Sequence, residues 1–199
     1  MQSIHHYNFK GKKALIRVDF NVPVDENSVI TDDSLIRASL PTINRVLNDG
    51  GSVVLLSHFG EPRENFIDSY SMRHLVPRLC ELLQKEVRLA PDCVYDTTMN
   101  MCKEMKPGEV ILLENLSFHR CESNLVVEFA EQLSRYKDCF INDAFSTANQ
   151  VLSSTTLVSG FFPGNKMFGY GVEQALARLI EDQTGKRNTI IGNMLGKEE

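Results

Sequence analysis

The chain has 199 residues, 42% hydrophobic and 24% charged, with 26 acidic against 21 basic side chains and a net charge of -5. A composition of this kind builds its own core, in one domain of roughly 100–200 residues by default. The acidic balance argues against non-specific nucleic-acid binding, which rests on a basic face, and against a polybasic membrane anchor. Apolar runs such as Val53–Leu56 fall far short of the roughly 18 residues that span a bilayer. The opening MQSIHHYNFKGKK has no apolar segment, so no secretory signal is read. Five cysteines without a CxxC pair read as reduced thiols of a cytosolic protein.

In chain order, Lys13–Val18 is predicted as a strand. Asp33–Leu47 is predicted as a helix with Ile36, Leu40, Ile43, Val46 and Leu47 at helical spacing. Asp32 or Asp33 caps it and Asp49-Gly50-Gly51 ends it. Ser52–Leu56 is the next strand, then a helix over Ser71–Leu83 with Leu75, Leu79, Leu82 and Leu83 on one stripe. Glu109–Leu113 and Asp138–Asn142 are strands flanking a helix over Leu125–Leu133. A helix over Val172–Ile180 and a strand over Asn188–Ile191 follow. The strand runs are continuously apolar, as in strands buried on both faces of a parallel sheet. Strand–helix alternation at this spacing implies βαβ units and an α/β fold. No repeat, low-complexity tract or linker divides the chain.

Open parallel sheets bind ligands beyond the carboxyl ends of their strands. The residues to watch are therefore Asp19 and Asn21, Ser57 to Glu61, Glu114 to Ser117, and Asp143 to Thr147. His58, ending a buried strand, reads as either a structural or a site histidine. Arg17 sits inside an apolar strand, where an unpaired charge is costly; it needs a partner such as Asp19 or a bound anion. Other motifs fall away. Gly160-Phe-Phe-Pro-Gly164-Asn-Lys166-Met167 is one residue short of a phosphate loop and lacks the hydroxyl, so it reads as a turn. Gly169-Tyr170-Gly171 has Gln174 where a third glycine is needed, and no convincing strand precedes it. His119-Arg120-Cys121 lacks a second ligand pair, and no metal is expected. Cys80, Cys93, Cys102 and Cys139 lie in apolar surroundings and read mainly as core thiols.

The strand-end strings resemble those of phosphoglycerate kinases. Arg17-Val-Asp19-Phe-Asn21-Val-Pro23 is similar to RVDFNVP. Arg37-Ala-Ser-Leu-Pro-Thr-Ile43, Ser57-His58-Phe-Gly60-Glu-Pro62, Leu112-Leu-Glu114-Asn-Leu116 and Asn142-Asp-Ala-Phe145 follow in family order. The resemblance implies a three-layer α/β/α, Rossmann-like domain of the N-terminal, 3-phosphoglycerate-binding type over residues 1–170. Residues 171–199 would be the linker helix and the first strand of a nucleotide domain that this chain lacks. In the family this is glycolytic phosphoryl transfer between 1,3-bisphosphoglycerate and ADP. Asp19 and Asn21 match the positions holding the carboxylate and hydroxyl end of the substrate. Arg37 matches the arginine that steadies the transferring phosphoryl group, and His58 a histidine on the phosphate side.

Other positions depart from the pattern. HLGRP has become His58-Phe-Gly-Glu61-Pro, and LLENLRF has become Leu112-Leu-Glu-Asn-Leu-Ser117-Phe. NDAFGTAHRAHSS now carries Asn149 for its histidine and Gln150 for its arginine, and the lysine of GG[AS]KV is Leu195. Three charge-assisted contacts to a substrate of about three negative charges are lost at ~1.5–3 kcal/mol each, or roughly 10³–10⁶ in affinity. The expectation is a catalytically inactive relative, with no cofactor on this chain where the family binds Mg-ATP. Its ligand would be 3-phosphoglycerate or another small anion, held weakly if at all. A protein could dock on a hinge face around Leu176, Leu179 and Ile180, with neither nucleic acid nor membrane as partner. The alternatives are an interaction or regulatory module with a remodelled ligand site, and a half-enzyme completed in trans.

Overall fold

The computed structural model describes residues 2–62, 66–147 and 150–180. Its strands are β1 (Lys13–Arg17), β2 (Ser52–Leu56), β3 (Val87–Leu89), β4 (Val110–Leu112), β5 (Cys139–Asn142) and β6 (Lys166–Phe168). They form one sheet in the order β3-β4-β2-β1-β5-β6, parallel throughout. The helices are α1 (Ser34–Asn48), α2 (Val76–Leu83), α3 (Asp96–Lys103), α4 (Arg120–Ser123) and α5 (Val127–Ser134). Residues 170–180 form a further helix, α6.

Strand side chains alternate between faces, and here both faces are covered. Ala14, Ile16, Val53, Leu55 and Ile141 pack with Ile36, Ile43 and Val46 of α1 and with Leu79 and Leu83 of α2. Leu15, Val54, Leu56, Ile111 and Phe140 pack on the opposite side with Cys102 of α3 and Phe129, Ala130 and Leu133 of α5. Two-sided burial is why these strands read as unbroken apolar runs. Each large apolar side chain buried this way contributes about 1.5–3 kcal/mol. The three-layer α/β fold is therefore as expected.

Several boundaries differ for local reasons. The Asp32 carboxylate accepts from Ser34 N at 2.8 Å, whereas Asp33 makes no capping bond of its own. Ser71 opens a single 3₁₀ turn (Met72–His74), and α2 proper starts at Val76 with Pro77 in its first turn. Leu125 has φ +54, outside the helical region, so α5 begins at Val127 rather than there. β3, β6 and the polar α3 were not anticipated. β3 and β6 are three-residue edge strands, each with one buried and two half-buried side chains, too short to make an apolar run. Within Gly160–Met167, Gly160 and Phe161 end a 3₁₀ helix, a turn with Gly164 at φ +77 follows, and Lys166 and Met167 already belong to β6. Gly169-Tyr170-Gly171 thus does follow a strand, correcting the sequence expectation. The strand expected at Asn188–Ile191 lies outside the described residues.

The start of α6 is fixed from β5. Asp143 Oδ1 accepts from Gly171 N at 2.8 Å and Val172 N at 3.3 Å. Thr42 Oγ1 of α1 accepts from Tyr170 N at 2.9 Å. A Cβ at Gly169 would come within 2.4 Å of the Asp143 carboxyl, so glycine is required there. No helix among the described residues is long and apolar enough to cross a membrane.

Candidate active-site cavity

Parallel register brings Arg17 level with Leu56 of β2 and Asn142 of β5. The loops leaving these strands enclose a cavity of about 500 Å³ at their carboxyl ends. Of the residues matched to family site positions, Asp19, Asn21, His58, Glu61, Ser117 and Gln150 line it, together with Arg17, Gly60, Ser146 and Thr147 from the strand ends. Arg37 is not among them. It lies half-exposed on α1, where its Nε donates to the Asp33 carboxylate at 2.9 and 3.1 Å. Asn149 and Leu195 lie outside the described residues.

The floor is a buried polar network. Arg17 is 1% exposed. Its Nε donates to Ser154 Oγ at 3.1 Å, its Nη1 to the Val18 carbonyl, and its Nη2 to His58 Nδ1 at 2.6 Å. A guanidinium only donates, so His58 Nδ1 accepts, and the ring proton sits on Nε2 facing Glu122 Oε1 at 3.3 Å. Ser154 donates its hydroxyl to Glu122 Oε1, and Ser154 N donates to Oε2 at 2.9 Å. Burial lowers the Arg17 pKa to about 10, against the opposing pull of Glu122 and Asp19. The partner that Arg17 demanded is therefore chiefly Glu122, reached through Ser154 and His58, rather than Asp19 alone. Ser153 and Ser154 are both fully buried in a π-helical turn, Ser153–Leu157.

The rim is pinned by hydrogen bonds involving motif residues. Asn21 Oδ1 accepts from Gly60 N at 2.8 Å. Gly60 has φ +60, and a Cβ there would strike the Tyr70 ring at 2.2 Å. Asn115 Nδ2 donates to the Phe59 carbonyl at 2.6 Å and the Tyr70 carbonyl at 3.0 Å. Glu114 accepts from Ser71 Oγ and Met72 N, both at 2.7 Å. On the far wall, His119 Nε2 meets Asp92 Oδ2 at 3.1 Å. Burial pushes the Asp92 carboxyl up, but hydrogen bonds from His119 and from Val94 N outweigh it and leave it below its usual range. A larger groove of about 880 Å³ lies between residues 28–33 and α2, lined by Asp33, Arg78 and Glu81 among others. These three charges are already paired with one another, so the smaller cavity is the better site.

A family model described as phosphoglycerate kinase matches residues 4–193. The chain belongs to the phosphoglycerate kinase family. It is 37% identical to a phosphoglycerate kinase of Porphyromonas gingivalis over 217 residues, covering 96% of this chain and 52% of that one. It is 47% identical to one from Geobacter metallireducens over 156 residues, 78% of this chain and 39% of the relative. The chain therefore spans about half or less of the length of these relatives. Among solved structures, the phosphoglycerate kinase of Pyrococcus horikoshii aligns with a TM-score of 0.80 at 30% identity, over 90% of this chain and 45% of that one. That of Coxiella burnetii gives 0.78 at 30% identity, over 88% and 43%.

Sequence reasoning missed Glu122, Ser154 and the Asp92–His119 pair. The one signal available was the charge of Arg17 in a buried strand, which required a counter-charge without naming it.

Proposed function

We propose that this phosphoglycerate kinase-type domain has a cavity that does not secure a phosphorylated three-carbon acid, and that the chain does not transfer phosphoryl groups between such an acid and a nucleotide. Arg17 carries this reading. It is the one arginine or lysine lining the cavity among the described residues, it is 1% exposed, and its Nε, Nη1 and Nη2 each already donate within the protein, to Ser154, Val18 and His58. Glu61, Ser117 and Gln150 line the same cavity at positions where the family motifs carry arginine. These replacements make the lining about four charge units more negative than one with three arginines, which opposes phosphate binding. Phosphoryl transfer depends on positioning and on cations that stabilise the transferring group. A coupled assay with 3-phosphoglycerate, Mg²⁺ and ATP tests the reading: no turnover above the uncatalysed background is expected, and ATP-dependent turnover contradicts it.

A further inference from the structure

The first turn of α6 rests on two groups that can gain or lose a proton. One is Asp143, which follows β5 and is buried. Its Oδ1 accepts from Gly171 N and Val172 N, while its Oδ2 is buried with no hydrogen-bond partner among the described residues. The backbone between β6 and α6 lies against this carboxyl: a Cβ at Gly169 would come within 2.4 Å of it, and one at Gly171 within 3.0 Å. Thr42 of α1 bonds both the carboxyl and Tyr170 N. An ionised carboxyl in so dry a site, with one oxygen unpartnered, is costly, whereas a protonated one is not. The charged group facing it is Glu173 of α6, whose like charge acts in the same direction. Ionisation therefore favours water entering between the carboxyl and residues 169–172, at the expense of their contact.

The amino-terminal segment supplies the second group. His5 Nε2 meets Glu173 Oε2 at 3.1 Å, and its ring packs on Tyr170 with centroids 5.0 Å apart. The His6 ring lies 6.5 Å from that of His5, and Arg45 of α1 donates to the His5 carbonyl at 3.4 Å. Gln2 N donates to the Lys166 carbonyl of β6 at 3.2 Å, so the segment ties β6 and α6 together. The His5–Glu173 contact is an ion pair only while the imidazole holds a proton. Both contacts thus weaken in the same sense as protons leave. We propose that protons fasten α6: its first turn stays docked on Asp143 and the amino-terminal segment while Asp143 and His5 are protonated, and loosens once both have lost their protons. Asp143 carries the larger share, because an exposed ion pair contributes little. Burial pushes the Asp143 carboxyl up to about 6, so the docked form is favoured below that pH and the preference is lost as pH rises through it.

Amide hydrogen exchange of the full 199-residue chain tests this, with protection corrected for intrinsic exchange at about pH 5 and about pH 7.5. Gly171 N and Val172 N donate to Asp143, and Glu173 N to the Gly169 carbonyl, so the amides of residues 171–176 report the docked turn. Their protection should fall about 10-fold between the two pH values. At the higher pH it should lie at least ~10-fold below that of β2, because the turn opens without the rest of the domain. Asp143→Asn keeps an oxygen for Gly171 and Val172 and should leave at most about a 3-fold fall. His5→Phe keeps a ring on Tyr170 and should leave most of the wild-type fall, while the double variant should show none. Protection of residues 171–176 that does not change with pH in the wild type overturns the inference. So does a protection equal to that of β2 at both pH values, or a full fall that survives in the double variant.

Discussion

Replacing Glu122 with glutamine removes the counter-charge from the cavity floor while keeping its shape. Arg17 is 1% and Glu122 2% exposed, so water cannot take over the lost interaction. Burial already lowers Arg17 from 12.5 to about 10 with Glu122 in place, an unmet cost of about 3 kcal/mol. Removing one partner of a buried charge network costs ~3–5 kcal/mol, because the other charge stays behind. For a chain of this length that lowers Tm by roughly 6–20 °C. Urea unfolding of the wild type, Glu122→Gln, Arg17→Met and the double variant would measure it. The double variant should lose less than the two single losses combined, by at least ~1 kcal/mol, because removing the arginine removes the stranded charge. A Glu122→Gln protein within ~0.5 kcal/mol of wild type, or strictly additive losses, would refute the reasoning.

Three further outcomes follow from particular contacts. Asp143 is pushed up to about 6 by burial, against hydrogen bonds from Thr42, Val172 and Gly171, and its Oδ2 is buried with no hydrogen-bond partner among the described residues. A raised carboxyl contributes stability that is present below its ordinary pKa and lost as pH rises through about 6, so this group adds up to ~3 kcal/mol between pH 7 and pH 4. Unfolding midpoints across that window should flatten in Asp143→Asn; an unchanged slope would assign the effect elsewhere. Gly60→Ala, which drives a Cβ into Tyr70 at φ +60, should cost ~1–3 kcal/mol by denaturant unfolding; a neutral result would mean that the loop relaxes. Burial raises the thiol pKa of Cys93, Cys102 and Cys139. Maleimide labelling of the native protein should therefore spare these three and reach half-buried Cys80 and Cys121 first; early modification of Cys139 would refute this.

The centre of the fold was legible because burial on both faces leaves a one-dimensional trace. Ser52–Leu56 is buried at every position, and its boundaries were read without error. The edges left no such trace: in Lys166–Phe168 only Met167 is buried, so neither a continuous run nor a clear alternation appears. The site divides in the same way. Asp19, Asn21, His58, Glu61, Ser117 and Gln150 lie on the loops after or beyond parallel strands, where topology gathers them into one cavity. Glu122 and Ser154 reach it from α4 and the π-helical turn, 105 and 137 residues from Arg17, and only packing selects them. Arg37 shows the converse. Its motif was legible, but the residue sits on α1, paired with Asp33 one helical turn away and not among the cavity's lining residues.

Whether Glu61, Ser117 and Gln150 turn phosphorylated acids away is tested most directly by titrating 3-phosphoglycerate calorimetrically into two proteins. One is the wild-type chain and the other carries Glu61→Arg, Ser117→Arg and Gln150→Arg together. The wild type should show no saturable binding in the millimolar range, while the triple variant gains at least ~10³ in affinity. Micromolar binding by the wild type, or no gain in a folded triple variant, would contradict the assignment.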